Sequence, residues 1–316
     1  MGENQPADPV DPLLGLAART AGGQWLPPGT FVTGGRGPRL FSGGGRRATL
    51  ISTLSTVALL AVIAVVFLLA PGARTVAHAF FYPRDMWQSF IGNPKRGYYS
   101  VGAAIWLNIR MFLVAEVLIL ALALFVALLR QSVNPALFPV RVLATMYVDF
   151  FRGVPLLLVV LALGLGVPGL YLPVISNQPD AVYGVAALVL SYSAYVSEVY
   201  RAGLNSVHQS QVAAARSLGL SQRTSLRYVI LPQAVRNIIP PLLNDFISLQ
   251  KDTALVGVLG VIEANQAANI YASSVFNYSS FTVAAILFLI LTIPLARFTD
   301  RLIERDRRRR LAGATR

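Results

Sequence analysis

Charged and amide side chains interrupt several of the most apolar stretches of this 316-residue chain. A charge held at mid-membrane costs at least about 2.5–3.5 kcal/mol on insertion scales, so each such residue is a candidate for binding a polar solute or moving an ion. The residues of this kind are Arg110, Glu116, Asp149, Arg152, Glu198, Arg201, Asn244, Asp245, Gln250, Lys251 and Asp252.

Their spacing leaves both a binding and a structural interpretation open. Asp149 and Arg152 are three residues apart, as are Glu198 and Arg201, so on a helix each pair shares a face and can neutralise itself. Residues near the end of a span can also reach the interface with their charged tips. Lys251 and Asp252 are adjacent and can likewise form a buried pair.

The segment that contains Asn244 is the richest in polar groups. Asn244 and Lys251 are seven residues apart, about two helical turns, so both can face one cavity. Pro240 and Pro241 precede them, and prolines free backbone groups that need partners in protein or water, which suits a helix lining a cavity.

Motifs for catalysis are missing from the sequence. It contains no G-x-x-x-x-G-K-[ST] phosphate loop, no H-E-x-x-H and no G-x-S-x-G. His78 and His208 flank apolar stretches rather than sharing one, and there is no cysteine. We therefore expect no catalytic residue, no metal site and no bound cofactor, so a transport function needs ion coupling or a partner that hydrolyses ATP.

Long apolar runs must position these polar residues. Hydrophobic residues make up 55% of the chain, more than in a typical soluble domain, and they gather into runs of about 20. The sequence predicts an all-α membrane protein with about six spans. These are residues 50–70, 103–129, 142–165, 182–200, 238–261 and 281–298.

The first 70 residues have two interpretations. Residues 1–47 are rich in Gly, Pro and Arg and predict a disordered basic tail. Residues 48–70 then predict an added N-terminal membrane helix. A twin arginine at Arg46 and Arg47, with Ala77-His78-Ala79 after the run, also resembles a secretory signal. The length of the run and the spans that follow favour an uncleaved anchor.

The distribution of Lys and Arg predicts the orientation. With both termini inside, 20 of the 27 basic residues lie in inner segments and 4 in outer ones, as the positive-inside rule requires. The net charge of +13 thus reflects topology rather than nucleic-acid binding. Residues 71–100 become an extracytoplasmic linker, and residues 201–236 and 306–316 become cytoplasmic.

The longest polar interruption is residues 209–232. Residues 211–218 predict a short helix that ends at Gly219, a natural left-handed stop. Ser221 can cap a second short helix over residues 222–230, with Pro232 just past its end. A solvated connector between two spans is the alternative.

This loop resembles the signature segment of permease subunits in ABC importers, E-A-A-x3-G-x9-I-x-L-P. Two positions depart from that pattern, since Ala213 stands where the family has Glu and Val229 where it has Ile. The resemblance implies a coupling helix that sits in a cleft of a cytoplasmic ATPase. The coupling residues it implies are Ala213, Ala214, Ala215, Arg216, Leu218, Gly219, Leu231 and Pro232.

Further motifs resemble the polar amino acid branch of that family. They are R-G-V-P at 152–155, E-V-Y-R-A-G at 198–203, L-P-Q-A at 231–234 with Pro240 and Asn244, and K-D-T-A-L at 251–255. The similarity implies a type I importer permease domain over residues 101–305, with a five-helix core and an extra helix in front. The substrate-pathway residues it implies are Arg152, Glu198, Asn244, Lys251 and Asp252.

The resemblance also implies partners and a location. We expect a permease subunit that imports a polar amino acid, in a bacterial inner membrane, with a second permease copy or homologue. Cytoplasmic ATP-binding subunits would hold ATP and Mg, and a separate binding protein would deliver substrate. An ion-coupled carrier and a membrane anchor without a transport role remain as competing hypotheses.

Overall fold

The structure is a computed structural model, and it describes residues 46–314, with side chains from Leu50 to Arg305 and at Arg308. The predicted disordered tail, residues 1–47, lies outside the described residues except for its last two positions. The chain forms two compact units, one that ends at Ala70 and one over Pro71–Arg316.

Within the described residues the fold is built from α-helices, joined by short 3-10 and π segments. The helices are α1 Arg46–Leu69, α2 Ala73–Phe81, α3 Pro83–Ile91, α4 Val101–Gln131, α5 Phe138–Gly153, α6 Leu156–Leu161, α7 Asp180–Asn205, α8 Gln209–Ser217, α9 Gln222–Ser225, α10 Leu231–Asp252, α11 Ala264–Val275 and α12 Ser279–Ala314.

Four helices in the described part are long and apolar enough to cross a membrane, and a bent pair makes a fifth candidate. The four are α1, α4, α7 and α12, which match four of the predicted spans. The helix α10 has 22 residues but carries Arg236, Asp245, Lys251 and Asp252, so its composition does not pass as a span. The all-α membrane fold is confirmed, and the polar helix α10 occupies the position of the predicted fifth span.

The predicted third span is not one helix. Its first part is α5, which ends at Gly153, and α6 begins only at Leu156, with a bend of 110° between the two segments. Val154 is extended, with ψ 130°, because the ring of Pro155 disfavours the helical conformation in the residue before it. The bend leaves Arg152 in the last turn of α5, at the corner.

The predicted fifth span also has different limits. Its helix, α10, starts seven residues earlier than 238 and ends at Asp252, and a 3-10 segment, Thr253–Leu259, follows. The segment stops at Gly260, whose φ is +87°. Residues 263–278 lie between the predicted fifth and sixth spans, and they contain the helix α11.

A buried polar network fixes the start of α11. Glu263 is fully buried and accepts hydrogen bonds from the backbone N–H of Asn265 and Gln266 at 2.9 and 2.7 Å. The amide of Asn108 on α4 donates to Glu263 at 2.9 Å and to the Thr253 hydroxyl at 3.1 Å. Burial raises the pKa of Glu263, although these hydrogen bonds act in the opposite direction. The network joins α4, the 3-10 segment and α11 at one end of the bundle.

The main hydrophobic core lies where α4, α7 and α10 meet. Phe112 and Ile119 of α4 pack with Leu188 and Val196 of α7 and Leu249 of α10. This core makes α7 and α10 neighbours along their length, and it positions the candidate site described next.

Candidate functional site: a polar loop and a cavity on one helix pair

The helix α8 follows α7 and forms the first half of the polar loop. The ring nitrogen Nδ1 of His208 accepts a hydrogen bond from the Ser210 backbone N–H at 3.2 Å and so caps α8. At the other end, Gly219 N–H donates to the Arg216 carbonyl and Leu220 N–H to the Ala215 carbonyl, at 2.9 and 3.2 Å. This pair of bonds is a Schellman motif, and it requires the left-handed Gly219, whose φ is +81°.

The predicted coupling residues of α8 form a free surface. Ala215 is buried against the rest of the protein, whereas Ala213, Ala214 and Arg216 are exposed. Leu218 is 83% exposed at the tip of the loop. A small-residue helix face with one large exposed apolar side chain suits contact with another protein.

The second half of the loop differs from the prediction. Ser221 does cap α9, accepting a hydrogen bond from Thr224 N–H at 3.2 Å. The chain then continues through a π segment, Leu226–Ile230, directly into α10. Pro232 therefore lies in the first turn of α10 rather than beyond a helix end, because the first turn does not need its missing N–H.

A small apolar cluster anchors the loop to the helix pair. Val207, Ala234 and Ile238 are buried together, and Val212 of α8 packs against them. Gly203 of α7 faces α10 so closely that a Cβ there would overlap the Ile238 side chain. The loop, α7 and α10 therefore have to move together or repack together.

A cavity of about 520 Å3 lies on the same helix pair. It extends from the loop end of α7 and α10 towards the middle of α10, and α5 closes one side. Both positively and negatively charged side chains line the cavity, together with neutral polar groups. Its lining includes Arg152, Tyr195, Glu198, Ser206, Asn237 and Asp245.

Glu198 is held by two arginines. Arg201 donates to it at 2.6 Å, as the three-residue spacing predicts, and Arg130 at the end of α4 bonds its other oxygen. Sequence reasoning missed Arg130, because the partner is distant in the chain. The carboxylate is therefore neutralised, and it ties α4 to α7 at the mouth of the cavity.

Arg152 does not form the predicted pair with Asp149. No ion pair joins these two described side chains, and Asp149 is exposed. The Arg152 guanidinium instead lies over the Tyr195 ring, 6.0 Å from its centroid, and Tyr195 donates to the Arg152 carbonyl at 3.1 Å. The bend after Gly153 turns Arg152 towards α7, which leaves its charge available in the cavity.

Asp245 is a cavity residue that was not among the predicted pathway residues. One of its carboxylate oxygens is buried and has no hydrogen-bond partner within the described structure. The signal was present in the sequence, since Asn237, Pro241 and Asp245 recur every four residues and so share one helix face.

The other predicted pathway residues lie elsewhere on α10. Asn244 and Lys251 are exposed and do not line the cavity, although their shared face agrees with the predicted spacing. Asp252 accepts a hydrogen bond from the Tyr192 hydroxyl at 2.6 Å, and it makes no ion pair with Lys251 among the described side chains. In the described part of the chain, no three His, Asp or Glu side chains lie close enough to hold a metal ion.

Comparison with known proteins gives a consistent family match. Residues 136–309 match the model of the binding-protein-dependent transport system inner membrane component. The probable amino-acid permease protein YxeN of Bacillus subtilis is 36% identical over 190 residues, which cover 59% of this chain and 83% of that protein. The glutamate transport system permease protein GluC of Corynebacterium glutamicum is 34% identical, over 65% of this chain and 93% of the relative.

Solved structures show the same fold. A crystal structure of an amino acid ABC transporter with histidines superposes with a TM-score of 0.60 at 31% identity, covering 65% of this chain and 93% of the other. A methionine ABC transporter in an inward-facing conformation superposes with a TM-score of 0.54 at 16% identity and shares the fold alone.

Proposed function

Because the chain belongs to the family of binding-protein-dependent transport system inner membrane components, we propose that it is the permease subunit of an ATP-driven importer of polar amino acids. The observation that carries this proposal is that the exposed loop and the charged cavity share α7 and α10. A partner that moves α8 would necessarily act on the walls of the cavity.

The loop takes the role of the coupling element. ATP and Mg would be bound by a separate cytoplasmic ATPase, which docks on the free surface of α8 around Leu218. Val212 and the cluster at Ile238 then transmit the displacement to α10. Nucleotide binding in the partner would thus shift the population of two arrangements of the helix pair.

The cavity suits the head group of an amino acid. Arg152 is free to bind a carboxylate, and the unpartnered oxygen of Asp245 is free to accept from an ammonium group. Glu198 is already paired with two arginines, so it shapes the mouth of the cavity rather than binding substrate directly.

Asn244 and Lys251 fit a different part of the pathway. Both are exposed on one face of α10 in a single chain, and polar groups on a membrane helix need a polar surface to face. We place them, with Asp252 nearby, on the wall that this subunit would share with a second permease copy or homologue. A binding protein would deliver substrate on the side opposite the loop, and both termini would be cytoplasmic.

Reconstitution tests the proposal. The chain is placed in liposomes with its ATPase and binding protein, and uptake of labelled glutamine or glutamate is measured with and without ATP. Uptake that requires all three components is expected. Uptake by the chain alone, driven by an ion gradient, would instead identify an ion-coupled carrier.

A binding measurement tests the cavity separately. Labelled glutamine is titrated onto the purified permease–ATPase complex without the binding protein. Asp245→Asn and Arg152→Gln should each weaken binding about tenfold or more, because each removes a charge-assisted hydrogen bond of about 1.5–3 kcal/mol. Asp180→Asn, an exposed acid at the start of α7, is the matched control. The α-amide of glutamine lacks the carboxylate that Arg152 would bind. Arg152→Gln should therefore bind this ligand about as tightly as the wild type does.

A further inference from the structure

The segment before α4 holds a small polar pocket that is separate from the cavity on α7 and α10. The pocket has a volume of about 230 Å3, and α3 together with the turn after it forms its walls. Arg84, Gln88, Asn93, Arg96 and Tyr98 line it, and Trp87 closes one edge. Its polar lining includes two guanidinium groups and no carboxylate.

The two arginines of the pocket are not neutralised within the described structure. Neither Arg84 nor Arg96 forms an ion pair with a described side chain, and both are exposed. Asp85 is the only acidic residue among residues 71–100, and it turns inward to accept a hydrogen bond from Tyr271 at 3.1 Å. Two free guanidinium groups around one small pocket match a phosphate group.

An apolar groove shares Trp87 with this pocket. It has a volume of about 430 Å3 and lies between α3 and the first turns of α12. Its lining is apolar throughout and comprises Pro83, Met86, Trp87, Phe90, Val283, Ile286, Leu287 and Ile290. The α12 residues belong to a candidate membrane span, so the groove runs along the hydrocarbon layer.

The neighbouring structure holds both features rigidly. Tyr82 N–H donates to the Ser279 hydroxyl at 3.0 Å, and Thr282 donates to the Phe80 carbonyl at 2.6 Å, which fix α2 and α3 to the start of α12. Tyr98 and Asn93 exchange two backbone hydrogen bonds of 2.9 and 3.0 Å that close the turn of the pocket. The site is therefore preformed.

We propose that this pair of features is a binding site for one anionic phospholipid, with its phosphate between Arg84 and Arg96 and an acyl chain in the groove along α12. Trp87 lines both parts and is 63% exposed, which is the position of an aromatic side chain at the membrane interface. The helix α3 packs against the start of α4, whereas the loop lies near the other end of α4. The lipid therefore belongs to the leaflet opposite the loop.

Quenching of Trp87 fluorescence tests the site. The full chain carrying Trp25→Phe and Trp106→Phe retains Trp87 as its single tryptophan. It is placed in phosphatidylcholine nanodiscs that contain a minor fraction of brominated phosphatidylglycerol or, in parallel, brominated phosphatidylcholine. We expect stronger quenching by the anionic lipid at equal fraction.

Charge variants locate the head group. Arg84→Gln with Arg96→Gln should reduce the preference for the anionic lipid by about fivefold per arginine. This factor corresponds to the attraction of about 1 kcal/mol between one basic residue and an anionic membrane surface. The matched control, Arg74→Gln with Lys95→Gln, removes the same charge outside the pocket and should retain most of the preference. Ile286→Phe, which fills the groove, should lower quenching by both lipids.

Four results would overturn the proposal. The first is equal quenching by the two brominated lipids, and the second is an equal loss in the control pair. The third is full competition by soluble glycerol phosphate, which would reduce the site to a phosphate pocket without an acyl groove. Protection of Trp87 by the purified binding protein, without lipid quenching, would assign the surface to that protein instead.

Discussion

The Arg130 guanidinium, in the last turn of α4, donates a hydrogen bond to the Glu198 carboxylate of α7, 68 residues further along the chain. The same carboxylate accepts from Arg201 at 2.6 Å. These contacts hold the ends of two membrane helices together directly before the loop begins. They make Glu198 a positioning residue for the loop.

Replacing Glu198 by Gln should therefore destabilise the protein. The change leaves two partly buried arginines without a counter-charge, and hydrogen bonds to charged groups contribute about 1.5–3 kcal/mol. Since the Glu198 side chain is 17% exposed, water recovers part of this, and we expect a loss of about 1–2 kcal/mol. Thermal unfolding of the purified protein in detergent measures it.

An exposed ion pair provides the control for that change. Arg308→Gln breaks the pair between Arg308 and Glu304, whose side chains are 76% and 48% exposed. Such pairs contribute about 0–1 kcal/mol. If Glu198→Gln unfolds at the same temperature as Arg308→Gln, the ion pair between α4 and α7 does not contribute measurably to the stability of the protein.

Substitutions of Gly219 should separate backbone conformation from available space. A Cβ at Gly219 would meet no atom within 4 Å, so the constraint is its φ of +81°. Asn tolerates the left-handed conformation, whereas Val is strained there by roughly 1–2 kcal/mol or more. We expect Gly219→Asn to retain ATP-dependent uptake and Gly219→Val to lose most of it.

Pull-down of the ATPase completes that comparison. The Val variant should bind the ATPase more weakly because the end of α8 is displaced. Equal loss of binding in the Asn variant would mean that the partner contacts Gly219 itself and leaves no room for any side chain.

The close approach of Gly203 to Ile238 predicts a paired effect. Gly203→Ala forces a Cβ into the Ile238 side chain, and overpacking of this kind costs about 1–3 kcal/mol. Ile238→Ala removes the obstructing atoms, so the double variant should recover part of the lost stability and uptake. Gly166→Ala, where a Cβ would meet nothing within 4 Å, should be close to wild type. Strict additivity of the two changes would refute contact between them.

The buried Glu263 predicts a specific pH dependence. Because burial raises its pKa above the ordinary 4.5, the folded protein keeps this proton to a higher pH than the unfolded chain does. The resulting stability is fully present below the pKa of the unfolded chain and is lost as pH rises through the folded pKa.

Comparison with Glu263→Gln isolates this contribution. The variant has no titrating group at this position, so the stability of the wild type relative to the variant should fall as pH rises above 4.5. Unfolding of both proteins is measured across mildly acidic to neutral pH. A difference that grows with pH would show that the hydrogen bonds from Asn108, Asn265 and Gln266 outweigh burial.

Local patterns in the sequence were enough for much of the architecture. The apolar runs at α4, α7 and α12 predict membrane helices because a run of about 20 residues has no other favourable environment. Gly219 and Ser221 predict the end of α8 and the start of α9, since a left-handed stop and a cap depend only on neighbouring residues. The pairing of Glu198 with Arg201 follows in the same way from one helical turn.

Contacts between distant segments could not be predicted from such patterns. At the bend after Gly153, the Arg152 guanidinium lies over the Tyr195 ring instead of pairing with Asp149. The packing of α5 against α7 determines which of these two contacts forms. Asp245, rather than Asn244, lines the cavity because the rotation of α10 about its axis is set by its contacts with α7. The meeting of α3 with α12 at Trp87 likewise has no signal in either segment alone.

Hydropathy, caps and residue spacing act over a few residues, so the primary structure alone predicts a helical membrane protein with a capped polar loop and charges in its spans. The three-dimensional packing of the helices determines which charges are neutralised, which charges line the cavity, and that the cavity and the loop share α7 and α10. Those outcomes depend on the rotation and approach of helices that are far apart in the chain, and side-chain packing over the whole bundle fixes them.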